Sequence, residues 1–158
     1  MPRLPAACVV VALALLGGSA SAHSPYYLAC TTVARSGMID SAGHVFTDHF
    51  GREVAVNAFS TVFVAVPAGG PEALYRYGPG GPEIIAARGD AAPGGGSLGR
   101  IDAPSITNDG SVAFRALLKD GGASLLLRVT GAALASLVRT GDVSPAGGTF
   151  VAFLGTTN

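Results

Sequence analysis

The amino-acid sequence predicts an all-β protein whose antiparallel sheets come from repeats of about 52 residues, arranged like the blades of an incomplete β-propeller. Three observations predict this fold. A glycine-rich segment returns at a constant spacing, short stretches alternate between apolar and polar residues, and each repeat holds about four such stretches. About four strands in roughly 50 residues is typical of a propeller blade. Residues 33–158 hold about two full repeats and a partial one, fewer than the roughly four blades that close a propeller, so we expect an incomplete array.

The glycine-rich segment is clearest at residues 88–98, which read RGDAAPGGGSL. Residues 140–150 read TGDVSPAGGTF, and residues 36–46 match more weakly. The glycines that recur every 52 residues are Gly37, Gly89 and Gly141, followed by Gly43, Gly95 and Gly147. We therefore interpret the segment as a connector between successive β-units, in which glycine permits the backbone geometry and the apolar residue that follows, such as Leu98, enters the core.

Between the connectors the sequence alternates as β-strands do. In residues 111–118, Arg115 lies opposite one apolar face. That face consists of Val112, Phe114, Ala116 and Leu118. Residues 60–66 form the equivalent strand, and the KDGG segment at 119–122 predicts a hairpin turn, because glycine readily adopts positive φ.

Further strands complete each unit. They are predicted at residues 72–77, 83–87, 104–107, 123–129 and 133–139. Residues 133–139 have helical propensity, but Pro82 and the adjacent Ile84 and Ile85 favour a strand for the equivalent segment. Some equivalent positions of the two full units are 51 rather than 52 residues apart. We place the one-residue insertion that this requires at residues 64–68, where a strand runs into a loop.

The first residues predict export. Arg3 supplies a positive charge, residues 6–16 form an apolar run too short to span a bilayer, and residues 20–22 (ASA) form a small-residue cleavage site. We predict a signal peptide at residues 1–22, a lead-in at 23–32 and the β-repeat region at 33–158. The expected location is secreted, periplasmic or cell-surface, with no membrane span after cleavage of the signal.

Charge and cysteine content narrow the function classes. The chain carries ten basic and ten acidic side chains, so no charge field indicates a nucleic-acid partner. Cys8 lies in the predicted signal and Cys30 is the other cysteine, which excludes an intrachain disulfide in the processed chain.

Three motifs in residues 88–99 resemble functional signatures, and the repeat explains each of them. The spacing of Gly94, Gly96 and Gly99 matches a dinucleotide-binding fingerprint, but Pro104 and a turn follow where that motif requires a helix. Ser97 lies in a G-x-S-x-G pattern, yet all three histidines precede it. Residues 88–90 read RGD, and we expect Asp90, like its counterpart Asp142, to accept backbone N–H bonds in a turn. We predict no enzyme activity and no cofactor.

The histidines offer the alternative function. If cleavage follows residue 22, His23 becomes the N-terminus, and its α-amine and imidazole with His44 or His49 would supply the nitrogen donors that copper(II) prefers. Tyr26 or Tyr27 would approach an axial position. The alternative is therefore a small periplasmic copper-binding protein that uses His23, His44 and His49.

The segment Asn108-Asp109-Gly110-Ser111-Val112-Ala113-Phe114 resembles the exported bacterial tandem-repeat proteins named for an N-x-x-G-x-x-A-F motif. The first full unit has Asn57-Ala58-Phe59-Ser60 at this place, without the glycine. The resemblance implies a β-propeller-like repeat fold and export, and it implies no particular activity. We therefore expect an exported, non-catalytic binding or surface-structural module for an unknown protein or glycan ligand, with self-association through an open sheet edge as a further expectation.

Overall fold

The computed structural model describes residues 8–10, 32–121, 123–128 and 134–153. All regular secondary structure in these residues is β-strand, and every strand pair is antiparallel. No helix within this part of the chain is long and apolar enough to cross a membrane. The strands are β1 (Cys8–Val10), β2 (Thr32–Arg35), β3 (Phe46–Val56), β4 (Thr61–Pro67), β5 (Ala73–Gly78), β6 (Gly81–Ala87), β7 (Leu98–Ile106), β8 (Val112–Leu118), β9 (Ala123–Arg128) and β10 (Leu134–Arg139). The predicted all-β, antiparallel fold class is confirmed.

The strands form two four-stranded sheets and one two-stranded sheet in the described residues. The first sheet has the order β3-β4-β5-β6 and the second the order β7-β8-β9-β10, so each is a meander in which strands adjacent in sequence are adjacent in space. Strands β1 and β2 pair with each other. Residues 83–87 and 134–139 lie in strands β6 and β10, which confirms the choice of strand over helix.

The two meanders share one irregularity in strand pairing. Between β5 and β6 the register skips Ile85, and between β9 and β10 it skips Leu137. The flanking pairs are Leu74↔Ala86 and Tyr75↔Ile84 in the first sheet, and Leu125↔Val138 and Leu126↔Ser136 in the second. A bulge of one residue bends the strand and increases its twist, so both sheets bend at the same place.

The pairing also relocates the one-residue insertion. Ala65 pairs with Ala73 in the first sheet, and Ala116 pairs with Ser124 in the second. Each residue of the second pair therefore lies 51 residues after its counterpart in the first pair. The predicted insertion at residues 64–68 is therefore wrong. The spacing changes from 51 to 52 between Arg128 and Leu134, in the connection from β9 to β10.

A first apolar cluster joins the two sheets. It contains Val62, Val64, Leu74, Ile85, Ala86, Ala92, Leu98, Ile101, Val112, Phe114, Ala116 and Leu118. Leu98 and Phe114 are completely buried, as the sequence predicts for both. Every second residue of β8 faces this cluster, whereas Arg115 lies on the opposite face and pairs with Asp102 at 2.6 and 2.7 Å. Hydrogen bonding to this carboxylate raises the pKa of Arg115.

A second cluster covers the other face of the first sheet. It contains Val33, Ala34, Phe46, Phe63, Ala65, Ala73 and Tyr75. Successive residues of β4 alternate between the clusters, because strand side chains point to opposite faces. Val62 and Val64 enter the first cluster, and Phe63 enters the second, so β4 is buried on both sides.

Strand β7 is longer than the predicted strand at 104–107, since it begins at Leu98. Pro104 lies within it, although proline lacks the N–H that sheet pairing uses. The strand tolerates Pro104 because β7 is an edge strand and because its register with β8 shifts between Asp102 and Ser105. Ala103, in this irregularity, has a φ of 49°.

The three connectors carry equivalent backbone hydrogen bonds. The N–H of Gly89 donates to the Leu98 carbonyl at 2.8 Å, and that of Gly141 to Phe150 at 2.7 Å. The equivalent bond before β3 joins Gly37 to Phe46 at 2.9 Å. Four other backbone bonds also recur in all three: Met38 to Arg35, Phe46 to Met38, Asp40 to His44 and Gly43 to Asp40, each with counterparts 52 and 104 residues later.

Candidate functional site

A surface cleft of about 480 Å³ forms where three turns come together. Residues 57–60 connect β3 to β4, residues 78–81 join β5 to β6, and residues 107–111 connect β7 to β8. These turns line the cleft with neighbouring strand residues and with Ser41 of the first connector, whose N–H donates to the Pro82 carbonyl at 3.1 Å. The cleft therefore spans both four-stranded sheets.

Phe59 is the aromatic residue of the cleft. It is 75% exposed, which is unusual for a phenylalanine in a sheet protein with a buried core. The side-chain oxygen of Asn57 accepts the N–H of Phe59 at 2.8 Å and that of Ser60 at 2.7 Å, so the turn is fixed from within. The Asn57 amide also donates to the Thr107 carbonyl at 2.7 Å. Asn57 thus ties together two of the three turns and holds the Phe59 backbone in place.

A charged pair lies on the β5–β6 side of the cleft. Arg76 and Glu83 face each other across the strand pair, and Arg76 Nη2 lies 2.8 Å from Glu83 Oε2. The side chains are 22% and 49% exposed, respectively. Each therefore presents hydrogen-bonding atoms to solvent in the cleft that Phe59 also lines, and the ion pair fixes the direction of both groups.

Asp109 lies on the β7–β8 side. Its Oδ1 accepts hydrogen bonds from the Thr107 hydroxyl and from the Ser111 N–H, the latter at 2.9 Å. The bond from Thr107 and then that from Ser111 lower the pKa of Asp109, so it carries a negative charge at neutral pH. The neighbouring Asn108 is exposed. This turn adds a carboxylate and an amide to the cleft, and the described structure supports the turn that the sequence predicts here.

His44 contacts a buried carboxylate. Its Nδ1 lies 3.2 Å from Asp40 Oδ2, and the Asp40 side chain is completely buried. Asp40 also accepts the hydroxyl of Tyr75 at 3.0 Å and the N–H groups of Ala42 and His44 at 2.9 and 2.8 Å. Burial by itself would raise the pKa of Asp40, but these hydrogen bonds outweigh it and the pKa lies below its usual value.

The three histidines of the predicted copper site are not seen together. His49 is exposed and contacts Asp48 at 3.1 Å, whereas His23 lies outside the described residues. Within the described part of the chain, no three histidine, cysteine, aspartate or glutamate side chains come close enough to hold a metal ion. The copper site stays a prediction.

The motifs of residues 88–99 have structural roles. Strand β7 begins at Leu98, two residues after Gly96, and contains Gly99, so a strand rather than a helix follows the glycines, as predicted. Asp90 Oδ2 accepts the N–H of Ala87 at 2.8 Å, and Asp142 Oδ2 accepts the N–H of Arg139 at 2.7 Å. Both carboxylates therefore accept backbone N–H bonds, which confirms the role predicted for them in the connectors.

Comparison with known protein families identifies the family of this chain. Residues 53–158 match a family described as Family of unknown function (DUF7453). The chain belongs to this family. The DUF7453 match begins within β3 and includes all the cleft residues named above except Ser41. No curated protein and no solved structure matches the chain.

Sequence reasoning did not identify the cleft. Its three turns are separated by about 20 to 50 residues, and only folding of the two sheets brings them together. One signal was present: Phe59 stands 51 residues before Gly110, so an aromatic residue takes the place of a turn glycine in one of the two predicted units. A residue that the repeat does not require, in an exposed turn, favours a role in binding.

Proposed function

We propose that the chain is an exported, non-catalytic binding module built from β-propeller-like repeats, and that its cleft binds a carbohydrate. The observation that carries this proposal is the exposed ring of Phe59, held in a cleft beside the Arg76–Glu83 pair and Asp109.

The cleft chemistry fits a sugar. One face of a sugar ring presents C–H groups that pack on an aromatic ring, while its hydroxyl groups both donate and accept hydrogen bonds. Glu83 and Asp109 accept such bonds, Arg76 donates them, and the amide of Asn108 does both. Each group lies on a turn or strand end fixed by backbone pairing, which reduces the entropy lost on binding.

The repeat interpretation rests on three correspondences. The two sheets have the same strand order, the same one-residue bulge and connectors with the same backbone hydrogen bonds. The sheets pack face to face through one apolar cluster, as successive blades do. The predicted signal peptide supports a secreted, periplasmic or cell-surface location, where glycans are abundant ligands.

The test is glycan binding by the processed protein. The full sequence is expressed in a bacterium, the protein is isolated after export, and a glycan array followed by calorimetry measures Kd for any oligosaccharide that binds. Phe59→Ala is expected to weaken binding at least tenfold, about 1.4 kcal/mol, because the aromatic surface on which the sugar ring packs is lost.

Val143→Ala is the matched control. Val143 is 78% exposed but lies in the last connector rather than among the cleft residues. Its Kd should equal that of the unsubstituted protein. Absence of binding to every glycan, or an equal Kd for Phe59→Ala, would contradict the proposal, as would a protein ligand whose affinity is independent of Phe59.

A further inference from the structure

The turns that carry Phe59 and Asp109 are each fixed internally by a side-chain oxygen. Asn57 Oδ1 accepts the N–H groups of Phe59 and Ser60 at 2.8 and 2.7 Å. Asp109 Oδ1 accepts the N–H of Ser111 at 2.9 Å. Asparagine and aspartate often hold a turn in this way, because their short side chains reach the backbone two residues further on. Each turn therefore has its own bonds that preserve its shape.

The amide nitrogen of Asn57 joins these two turns. It donates to the Thr107 carbonyl at 2.7 Å, so the bond runs from the residue after β3 to the residue after β7. The orientation of the amide follows from its partners, because two N–H donors face its oxygen and a carbonyl faces its nitrogen. The Thr107 carbonyl also accepts the Gly110 N–H at 3.0 Å, across the turn that contains Asp109. One side chain thus bonds to the backbone of both turns.

This bond crosses between the two four-stranded sheets. Phe59 lies in the β3–β4 turn of the first sheet and Asp109 in the β7–β8 turn of the second. The first apolar cluster holds the sheets together at their faces, whereas the turns lie at the strand ends. The separation between the Phe59 ring and the Asp109 carboxylate therefore depends on how the two turns are placed relative to each other. A ligand that contacts both groups binds more tightly when their spacing is fixed beforehand.

We propose that Asn57 is a positioning residue of the cleft, whose bond to Thr107 sets the separation between Phe59 and Asp109. The inference rests on the proposed function, because it requires one oligosaccharide to contact both the ring and the carboxylate. Asn57 acts through the two turns and not through a contact of its own with the sugar. The spacing that it sets selects the oligosaccharides that can reach both groups at once.

The variant Asn57→Ser separates the two roles of the asparagine side chain. A serine hydroxyl can accept N–H groups within its own turn, so the β3–β4 turn should be retained, but serine has no amide to donate to Thr107. The probe is the oligosaccharide with the lowest Kd for the unsubstituted protein. We expect Asn57→Ser to raise this Kd about threefold or more. An unchanged Kd would overturn the proposal.

A second substitution tests whether Asn57 acts through the cleft spacing. Asp109→Asn keeps an oxygen that can accept the Ser111 N–H, but it removes the charged acceptor that the spacing is proposed to position. In the Asp109→Asn protein, Asn57→Ser should therefore weaken binding much less than it does in the unsubstituted protein. Effects that simply multiply would show that the two residues act independently and would overturn the proposal.

NMR of the protein without ligand distinguishes failure of this inference from failure of the proposed function. Nuclear Overhauser effects between residues 57–60 and residues 107–111 should weaken in Asn57→Ser, whereas those within each turn should remain. Unchanged effects between the turns would overturn the inference even if glycans bind. Absence of binding to every glycan would contradict the proposed function, and the NMR result would still decide whether Asn57 sets the spacing.

Ser105→Ala is the matched control. Ser105 is an exposed polar residue near the end of β7, and its hydroxyl lies 3.5 Å from the Ala113 carbonyl, but it is not among the cleft residues. Its substitution should leave the Kd and the effects between the turns unchanged. An equal loss of affinity in Ser105→Ala would show that any change at this end of β7 weakens binding, and it would count against a specific role for Asn57.

Discussion

Asp40 shows how one residue fastens a connector to a sheet. Its fully buried carboxylate accepts backbone N–H groups from the first connector and the hydroxyl of Tyr75 from β5. A buried charge without partners would be strongly unfavourable, and these bonds make the ionised form the stable one. Burial, the hydrogen bond to Asp40 and its negative charge together raise the pKa of Tyr75, so this tyrosine stays protonated in the folded protein.

Replacing Asp40 by asparagine should destabilise the protein in a pH-dependent way. The folded-state pKa of Asp40 is lowered, so ionised Asp40 contributes stability above its usual pKa of about 4, and this contribution disappears as the pH falls through the lowered value. We expect Asp40→Asn to cost about 1.5–3 kcal/mol at pH 7. The difference from the unsubstituted protein should shrink below about pH 4, and urea denaturation at several pH values measures it.

Asp48→Asn provides the control for this experiment. Asp48 also contacts a histidine, but its side chain is 71% exposed. Exposed ion pairs contribute little to stability, so its substitution should change the free energy of unfolding by less than about 1 kcal/mol. An Asp40→Asn protein whose deficit is the same at pH 7 and at pH 3 would refute the assigned role.

The role of Asp40 was not visible in the sequence, whereas those of Asp90 and Asp142 were. The latter two bond to the backbone within their own turns, so local spacing is sufficient to predict them. Asp40 depends on Tyr75, which is 35 residues away and reaches it only after β5 has joined the sheet. For the same reason the contact between His44 and the Asp40 carboxylate was not predicted.

At the scale of elements, the alternation of apolar and polar residues predicted strands correctly, whereas residues that usually interrupt a strand led to one strand being predicted too short. The alternation of β8 gave its buried face correctly, and the paired isoleucines of β6 correctly favoured a strand. In β7 the glycine-rich segment up to Gly99 was interpreted as a connector, and the strand was predicted too short, at residues 104–107. Both residues are accommodated by position: Pro104 lies on a sheet edge, and Gly99 is buried against the neighbouring strand.

Gly99 should be sensitive to substitution for reasons of space. A Cβ atom at this position would lie 2.6 Å from the carbonyl oxygen of Leu117, a backbone atom of β8 that cannot move without disturbing the sheet. We expect Gly99→Ala to lower the free energy of unfolding by about 1–3 kcal/mol, measured by urea denaturation.

Gly78→Ala is the comparison, because a Cβ atom at Gly78 would meet nothing within 4 Å. Its substitution should be close to neutral. If both alanine variants had the same stability, close approach between β7 and β8 would not explain the glycine at position 99.

At the scale of the whole molecule, the two four-stranded sheets share one core. Phe114 of β8 is completely buried in the cluster that also contains Val62 and Leu74 of the first sheet. Phe114→Ala should therefore destabilise the protein by about 3–5 kcal/mol, and both sheets should unfold in one transition.

Two signals measured during urea denaturation test this cooperativity. With Tyr26 and Tyr27 replaced by phenylalanine in every protein compared, tyrosine fluorescence reports on the first sheet through Tyr75 and Tyr77, and circular dichroism reports on both sheets. The two curves should coincide in the unsubstituted protein and in Phe114→Ala. Separate midpoints in the unsubstituted protein would mean that the sheets are independent units.

The arrangement of the sheets and the cleft lay beyond sequence reasoning. Spacing and alternation indicate which residues form strands and which face is apolar, and they predicted that Leu98 is buried. They do not indicate which turns meet in space, so the proximity of Phe59, Arg76 and Asp109 required the fold. The location of the one-residue insertion was wrong for a related reason, since only strand pairing distinguishes a longer turn from a shifted register.

The meander order also determines how the chain can fold. In both four-stranded sheets every hydrogen-bonded strand pair joins consecutive strands, so each pairing closes a short loop and loses little chain entropy. Proteins dominated by such local pairings have low contact order for a β-protein, and low contact order favours rapid folding. The first sheet can form as soon as residue 87 is available, and Leu98 then begins the second sheet against a face that already exists.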